Sequence, residues 1–249
     1  MPRYRMTLEY DGGGFVGWQR QATGMSVQQA LEEAILKLSG ETVRLWGAGR
    51  TDSGVHALAQ VAHFDLAAPK PLKTIKDALN FHVRPHPVAV IHAVEAKPEF
   101  DARFSAIQRT YRYRILNRSA PAVLDMGKVW FVRHPLDVAP MQEAASRLVG
   151  HHDFSSFRAI KCQANSPERT MDILRVSQHG DEIWIEAEAR SFLHNQIRII
   201  TGTLARVGDG SWTPDDVSIA LAAKHRAAAG PTAPPDGLYL TSVGYPEDA

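Results

Sequence analysis

The sequence predicts an α+β protein of two similar halves with antiparallel sheet and helices on one face. Three observations carry this. Strand and helix signals recur in one order along both halves of the 249-residue chain. The strand stretches alternate apolar and polar residues and end at turn residues. The helical stretches carry apolar stripes with recognisable start and stop signals.

In the first half, residues 3–10 alternate as a strand, and Asp11-Gly12-Gly13-Gly14 ends it. Ser26 then reads as an N-cap with Gln29 completing a capping box. Val27, Ala30, Leu31, Ala34, Ile35 and Leu38 form one helical stripe, closed by Gly40. Residues 42–46 read as a short strand, 47–54 as a loop, 60–66 as a strand, 72–81 as a helix and 88–94 as a strand. The second half repeats the order. A strand is expected at 110–117 and a helix striped by Val138, Met141, Ala144, Ala145 and Leu148, with Gly150 as its stop. Strands at 171–178 and 182–189 flank a hairpin turn at His179-Gly180-Asp181. A helix at 192–207 has Ser191 as its cap, a further helix runs over 214–224, and a last strand covers 238–245. Both halves thus read β-α-β-β-α-β, the split βαβ order of ferredoxin-like units. Residues 1–100 are expected to form the first half and 108–249 the second, joined by the stretch 97–108.

Composition narrows the class. Hydrophobic residues make up 44% and charged residues 22%, close to a globular average, so wholesale disorder is excluded. The absence of any apolar run of even ten residues argues against a membrane helix and a signal peptide. The single cysteine, Cys162, cannot form an internal disulfide, and a cytoplasmic location is expected. Net charge is +1. Its distribution is uneven. No acid lies between Asp101 and Asp125, where Arg103, Arg109, Arg112, Arg114 and Arg118 fall. None lies between Glu188 and Asp209 either, around Arg190, Arg198 and Arg206. Acid-free arginine patches suit nucleic acid, although solvated faces would look the same.

The most distinctive segment is Gly47-Ala48-Gly49-Arg50-Thr51-Asp52-Ser53-Gly54-Val55-His56. Its glycines suit tight backbone or close approach to a ligand, and they frame a carboxylate beside an arginine. A phosphate-binding loop would need Lys and Ser/Thr where Val55 and His56 stand. A dinucleotide loop would need a helix after it, and a strand follows. A metal site from Asp52, His56 and His63 lacks a second carboxylate and a cysteine pair. The plain structural alternative is a turn in which Asp52 caps backbone amides.

Two further segments stand out. Around Arg109-Thr110-Tyr111-Arg112-Tyr113-Arg114, a strand would put Tyr111 and Tyr113 on one face and Arg112 and Arg114 on the other. Along 191–207, Leu193, Ile197, Ile200, Leu204 and Val207 form a stripe, with Arg198 off it. Gly202 and Ala205 beside it suggest room for a ligand or another chain, and a solvent-facing Arg198 is the plainer alternative.

Taken together, these segments resemble one family. Gly49-Arg50-Thr51-Asp52-Ser53-Gly54-Val55-His56-Ala57 is similar to the signature loop of the tRNA pseudouridine synthase A family. Glu9-Tyr10-Asp11-Gly12 and Gly17-Trp18-Gln19-Arg20-Gln21 resemble its N-terminus. Phe100-Asp101-Ala102-Arg103-Phe104-Ser105 resembles its central segment, and Phe192-Leu193-His194-Asn195-Gln196-Ile197-Arg198 its C-terminal helix. Ser53 stands where many members have alanine. The resemblance implies the pseudouridine synthase fold and isomerisation of uridine to pseudouridine at positions 38, 39 and 40 of the tRNA anticodon stem-loop. It also implies no cofactor, no metal and a homodimer.

The reaction breaks the C1′–N1 bond and joins C5 to C1′, with no redox change. A carboxylate beside an anomeric carbon suits this chemistry, and Asp52 is the expected catalytic residue. The family pattern makes Arg198 its counter-charge, sets Tyr111 against the uracil or ribose, and places Arg50 for a phosphate or for the space a flipped base leaves. Arg103, Arg109, Arg112 and Arg114 are the expected RNA-backbone contacts. A non-catalytic tRNA-binding or RNA-chaperone module would use the same basic surfaces, but it gains nothing from a carboxylate among phosphates.

Overall fold

The computed structural model describes residues 1–247. The described residues divide into two compact units, 1–109 with 239–247, and 110–238. The expected division kept the last strand with the second half. Its backbone explains the difference, because Tyr239 and Leu240 pair in parallel with His56 and Ala57 of the first unit.

In the first unit, β1 (Arg3–Tyr10) is the central strand. Its alternation buries Tyr4, Met6, Leu8 and Tyr10. Helix α1 (Val27–Ser39) follows, capped where expected. Ser26 Oγ accepts from the Gln29 N–H at 3.1 Å, and Gly40 ends the helix in the left-handed region. Gln29 does not close the capping box, since its amide donates to Glu33 Oε1 instead. Strand β2 (Trp46–Gly47) is shorter than expected, and β3 (His56–Asp65) starts four residues earlier. Helix α2 (Leu72–His82) then leads to β4 (Val88–Ala96).

Strands β3 and β4 flank β1, both antiparallel to it. The far edge of β3 is shared. Strand β2 pairs antiparallel at Trp46↔His63 and Gly47↔Ala62, and β11 (Leu238–Gly244) pairs at the other end. Helices α1 and α2 pack together, and α2 lies against β4. This is the order the split βαβ reading requires.

The second unit holds most of β5 (Gln108–Asn117), with the short β6 (Trp130–Val132) parallel to it. Helix α3 (Val138–Ser146) is followed by a separate small ribbon of β7 (Gly150–Asp153) and β8 (Glu168–Met171). Strands β9 (Ile173–His179) and β10 (Glu182–Ala189) form the expected hairpin, with Gly180 at positive φ. Strand β10 lies between β5 and β9. It alternates without a break, burying Ile183, Ile185, Ala187 and Ala189.

Helix α4 (Gln196–Gly208) begins four residues later than expected. Asn195, at φ 61°, occupies the cap position rather than Ser191. Only Arg198 and Arg206 of this helix escape full burial. Helix α5 (Pro214–Ala222) opens with a complete capping box between Thr213 and Asp216.

At Gly202, helix α4 leaves no room for a ligand or another chain, contrary to the sequence reading. The 230–233 loop fills that space. A Cβ on Gly202 would lie 2.0 Å from the Pro231 carbonyl oxygen. Gly230 N–H donates to Thr203 Oγ1, and Ala233 N–H donates to the Arg198 carbonyl. Glycine at position 202 thus lets the protein's own backbone reach the helix.

Candidate active site

Asp52 lies in the loop between β2 and β3, and the first unit pins that loop on both sides of it. Before it, Ala48 N–H donates to the Val61 carbonyl at 2.8 Å, and the Ala48 carbonyl accepts from Arg109 Nη2 at 2.8 Å. Gln60 Nε2 donates to the Gly49 carbonyl at 2.8 Å. The Thr51 carbonyl accepts from the Trp18 N–H at 3.0 Å. After it, Val55 N–H closes a turn on the Asp52 carbonyl, and Ser53 Oγ donates to the Phe15 carbonyl. A Cβ on Gly17, at φ +108°, would sit 2.8 Å from the Thr51 carbonyl oxygen, so only glycine lets the segment around Trp18 approach so closely.

A buried polar chain holds the residue next to Asp52. Tyr10 and Thr51 share a 2.8 Å hydroxyl–hydroxyl hydrogen bond, and Gln60 Nε2 reaches the Tyr10 oxygen at 3.4 Å. Burial pushes the Tyr10 phenol up to about 12, a rise partly offset by Thr51 and Gln60. The phenol therefore keeps its proton at neutral pH. Thr51 is buried, while its neighbours differ: Asp52 is half-buried and Arg50 is exposed.

His56 and His63 have structural roles. Gly12 N–H donates to His56 Nδ1, and Ala102 N–H donates to His63 Nδ1, each at 3.0 Å. Asp11 Oδ1 is also 3.0 Å from His56 Nδ1. Burial holds the His63 ring below its usual pKa, hence neutral. Among the described residues, no three His, Cys, Asp or Glu side chains form a group able to hold a metal ion.

The remaining expected residues divide sharply. Arg103 is exposed, at a turn of the first unit. Arg109 is not an exposed cation. It is 8% exposed, and its guanidinium donates to the carbonyls of Ala48, Arg103 and Ala106. In the second unit, Tyr111 is half-buried, edge-on to Phe192 at 5.2 Å. Tyr113 is fully buried, with its hydroxyl on the Pro234 carbonyl at 2.6 Å. Tyr113 is therefore the core tyrosine of the pair.

Arg112 and Arg114 do not form the open basic face that the acid-free sequence suggested. Strand β10 brings acids opposite them. Arg112 Nη2 lies 2.8 Å from Glu186 Oε1, and its guanidinium stacks 4.0 Å from the Trp184 ring centroid. Arg114 Nη2 lies 2.6 Å from Glu182 Oε1 and 3.4 Å from Asp125 Oδ1. Arg198 is half-buried and fixed, with Nε on the Ala233 carbonyl at 2.8 Å and Nη1 on Asn195 Oδ1 at 3.0 Å. Asn195 thus holds Arg198 rather than capping the helix amides.

Sequence reasoning missed Tyr10, Gln60 and Arg109 as supports of the loop. A signal existed for Gln60, a polar residue within the otherwise largely apolar stretch of β3.

A half-exposed carboxylate on a braced loop, next to an arginine, is an arrangement suited to chemistry at a sugar carbon without redox change. The family model for tRNA pseudouridine synthase matches residues 6–105 and 144–246. The chain belongs to this family. It is 58% identical over 245 residues to "tRNA pseudouridine synthase A" of Parvibaculum lavamentivorans, covering 98% of this chain and 100% of that one. It is 59% identical to the protein of the same name from Rhodospirillum rubrum, over 99% of this chain and 88% of that one. The Rhodospirillum centenum protein of that name is also 59% identical, over 98% and 100%. Asp52 and Arg198 fall inside the matched segments, and Tyr111 falls between them.

Proposed function

We propose that this chain isomerises uridine to pseudouridine in tRNA, at positions 38, 39 and 40 of the anticodon stem-loop, with Asp52 as the catalytic carboxylate. Support comes from the family membership and from one observation above all: a loop bonded on both sides of Asp52, which holds this half-buried carboxylate beside Arg50. In the net reaction the C1′–N1 bond breaks, uracil turns, C5 bonds to C1′, and the C5 proton is lost while N1 gains one. Attack at C1′, addition to the ring and removal of a ribose proton are the three routes open to a carboxylate here. All three require Asp52 ionised. Arg50 takes a phosphate or the space left by the extruded base, Tyr111 faces the base, and Arg198 binds the substrate as a fixed cation. Arg103 contacts the RNA backbone. Arg109, Arg112 and Arg114 serve RNA binding indirectly, through the turn and strand that they hold.

No cofactor is needed, because the reaction is redox-neutral and its bonds rearrange within one nucleotide. The protein works as a homodimer in the cytoplasm. The test is to incubate it with unmodified tRNA in excess chelator and map pseudouridine by nucleotide. Modification at 38–40 is expected, and modification elsewhere or none would overturn the reading. Sedimentation in solution should give twice the chain mass.

A further inference from the structure

Phe104 is 74% exposed, more than any other aromatic side chain among the described residues. Its backbone is held with unusual thoroughness for a surface turn. Asp101 Oδ1 accepts from the N–H groups of both Arg103 and Phe104 at 2.8 Å. Ser105 N–H donates to the Asp101 carbonyl, and Asp101 N–H donates to Ser105 Oγ. Beneath the turn, Ala102 is buried between His63 Nδ1 and the Tyr245 hydroxyl. The buried Arg109 guanidinium grips the Arg103 carbonyl at 2.7 Å.

The result is a rigid support with two side chains at its tip. The Arg103 guanidinium carbon stands 5.3 Å from the centroid of the Phe104 ring. The acid of this turn, Asp101, spends Oδ1 on backbone amides. The ring buries little of its own surface, so it contributes little to packing; what singles it out is the braced turn beneath it and the cation beside it. A flat ring joined to a cation, fixed before its partner arrives, matches an unpaired nucleobase and its phosphate.

We propose that this turn is a stacking platform for the RNA: Phe104 receives an unpaired base, and Arg103 meets the adjoining phosphate. The proposal rests on the RNA-modifying reading given above and adds a residue which that reading does not use.

The test measures tRNA affinity of the full-length protein as a function of salt, for wild type and for Phe104→Ala, Phe104→Leu, Phe104→Trp and Arg103→Ala. Loss of a stacked base should weaken binding roughly 5- to 100-fold in Phe104→Ala. Leu should restore little of this, and Trp should bind within about twofold of wild type. The salt slope should be unchanged in Phe104→Ala and fall by about one unit or less in Arg103→Ala. Melting temperature and sedimentation should match wild type throughout. Phe104→Ala binding within twofold of wild type would overturn the proposal. So would full binding by Phe104→Leu, which would show a merely apolar contact. A change in oligomeric state in Phe104→Ala would assign the ring to a second copy instead. Wild-type binding without pseudouridine formation would defeat the activity and leave the platform standing. Activity with undiminished Phe104→Ala binding would do the reverse, and a wild type that does not bind tRNA would defeat both.

Discussion

Asp52 depends on residues that never meet a substrate. The Tyr10 hydroxyl, buried and protonated, holds Thr51, and Thr51 adjoins the carboxylate. Tyr10→Phe removes this bond and leaves the Thr51 hydroxyl short of a partner. The expected loss in stability is about 1–2 kcal/mol. The single-turnover rate at saturating tRNA should fall about tenfold, while tRNA affinity stays within twofold. Quench-flow and filter binding on one preparation separate the two, and equal loss in both would mean that Tyr10 only maintains the fold. Arg109 gives a second test at this scale. It serves three carbonyls from a buried position, so Arg109→Ala should cost about 2–4 kcal/mol in urea melts. Arg109→Lys should rescue little, because an ammonium lacks the planar fork. A stable Arg109→Ala with weakened tRNA binding would return the residue to the RNA surface.

Whole elements fixed the fate of the other arginines. Reading along the chain, the stretch around Arg112 and Arg114 contains no acid; reading across the sheet, β10 supplies Glu186 and Glu182. A linear charge pattern does not carry strand pairing, and that is why the sequence suggested an open basic face. The Arg114 guanidinium beside Glu182 holds its carboxyl below the usual carboxylate range. A folded value lower than the unfolded one means stability that is present above about pH 4.3, the unfolded value, and is lost as pH falls through the folded value. Glu182→Gln should therefore melt below wild type at pH 7, by roughly 1 kcal/mol given its partial exposure. The gap should close as pH falls from the ordinary glutamate range through the lower folded value. Calorimetry at pH 7 and in acid checks this, and a gap that persists in acid would exclude the ion pair as its source. Helix α4 makes the same point about context. Its stripe was legible, but its nearly complete burial was not, because the 230–233 loop that covers Gly202 is distant in sequence.

At the scale of the whole molecule, local signals held up well. The order of the long strands and helices, the Ser26 cap, the Gly40 stop and the hairpin at Gly180 were all readable. The short strands β6, β7 and β8 were not, since three or four residues give too little alternation to register. Nor was the return of β11 to the first unit, because parallel pairing with β3 leaves no mark in composition. The loop around Asp52 was legible as a glycine-framed loop between two strands, through its spacing. Its buried supports, Tyr10, Gln60 and Arg109, read like core positions or surface charge. The claim joining these scales is that a braced carboxylate at Asp52 performs the isomerisation. Single-turnover pseudouridine formation by Asp52→Asn, at a tRNA concentration saturating for binding, tests it most directly. The variant should fold and bind tRNA as wild type does, with the rate reduced at least about a thousandfold. A rate within tenfold of wild type would contradict the assignment.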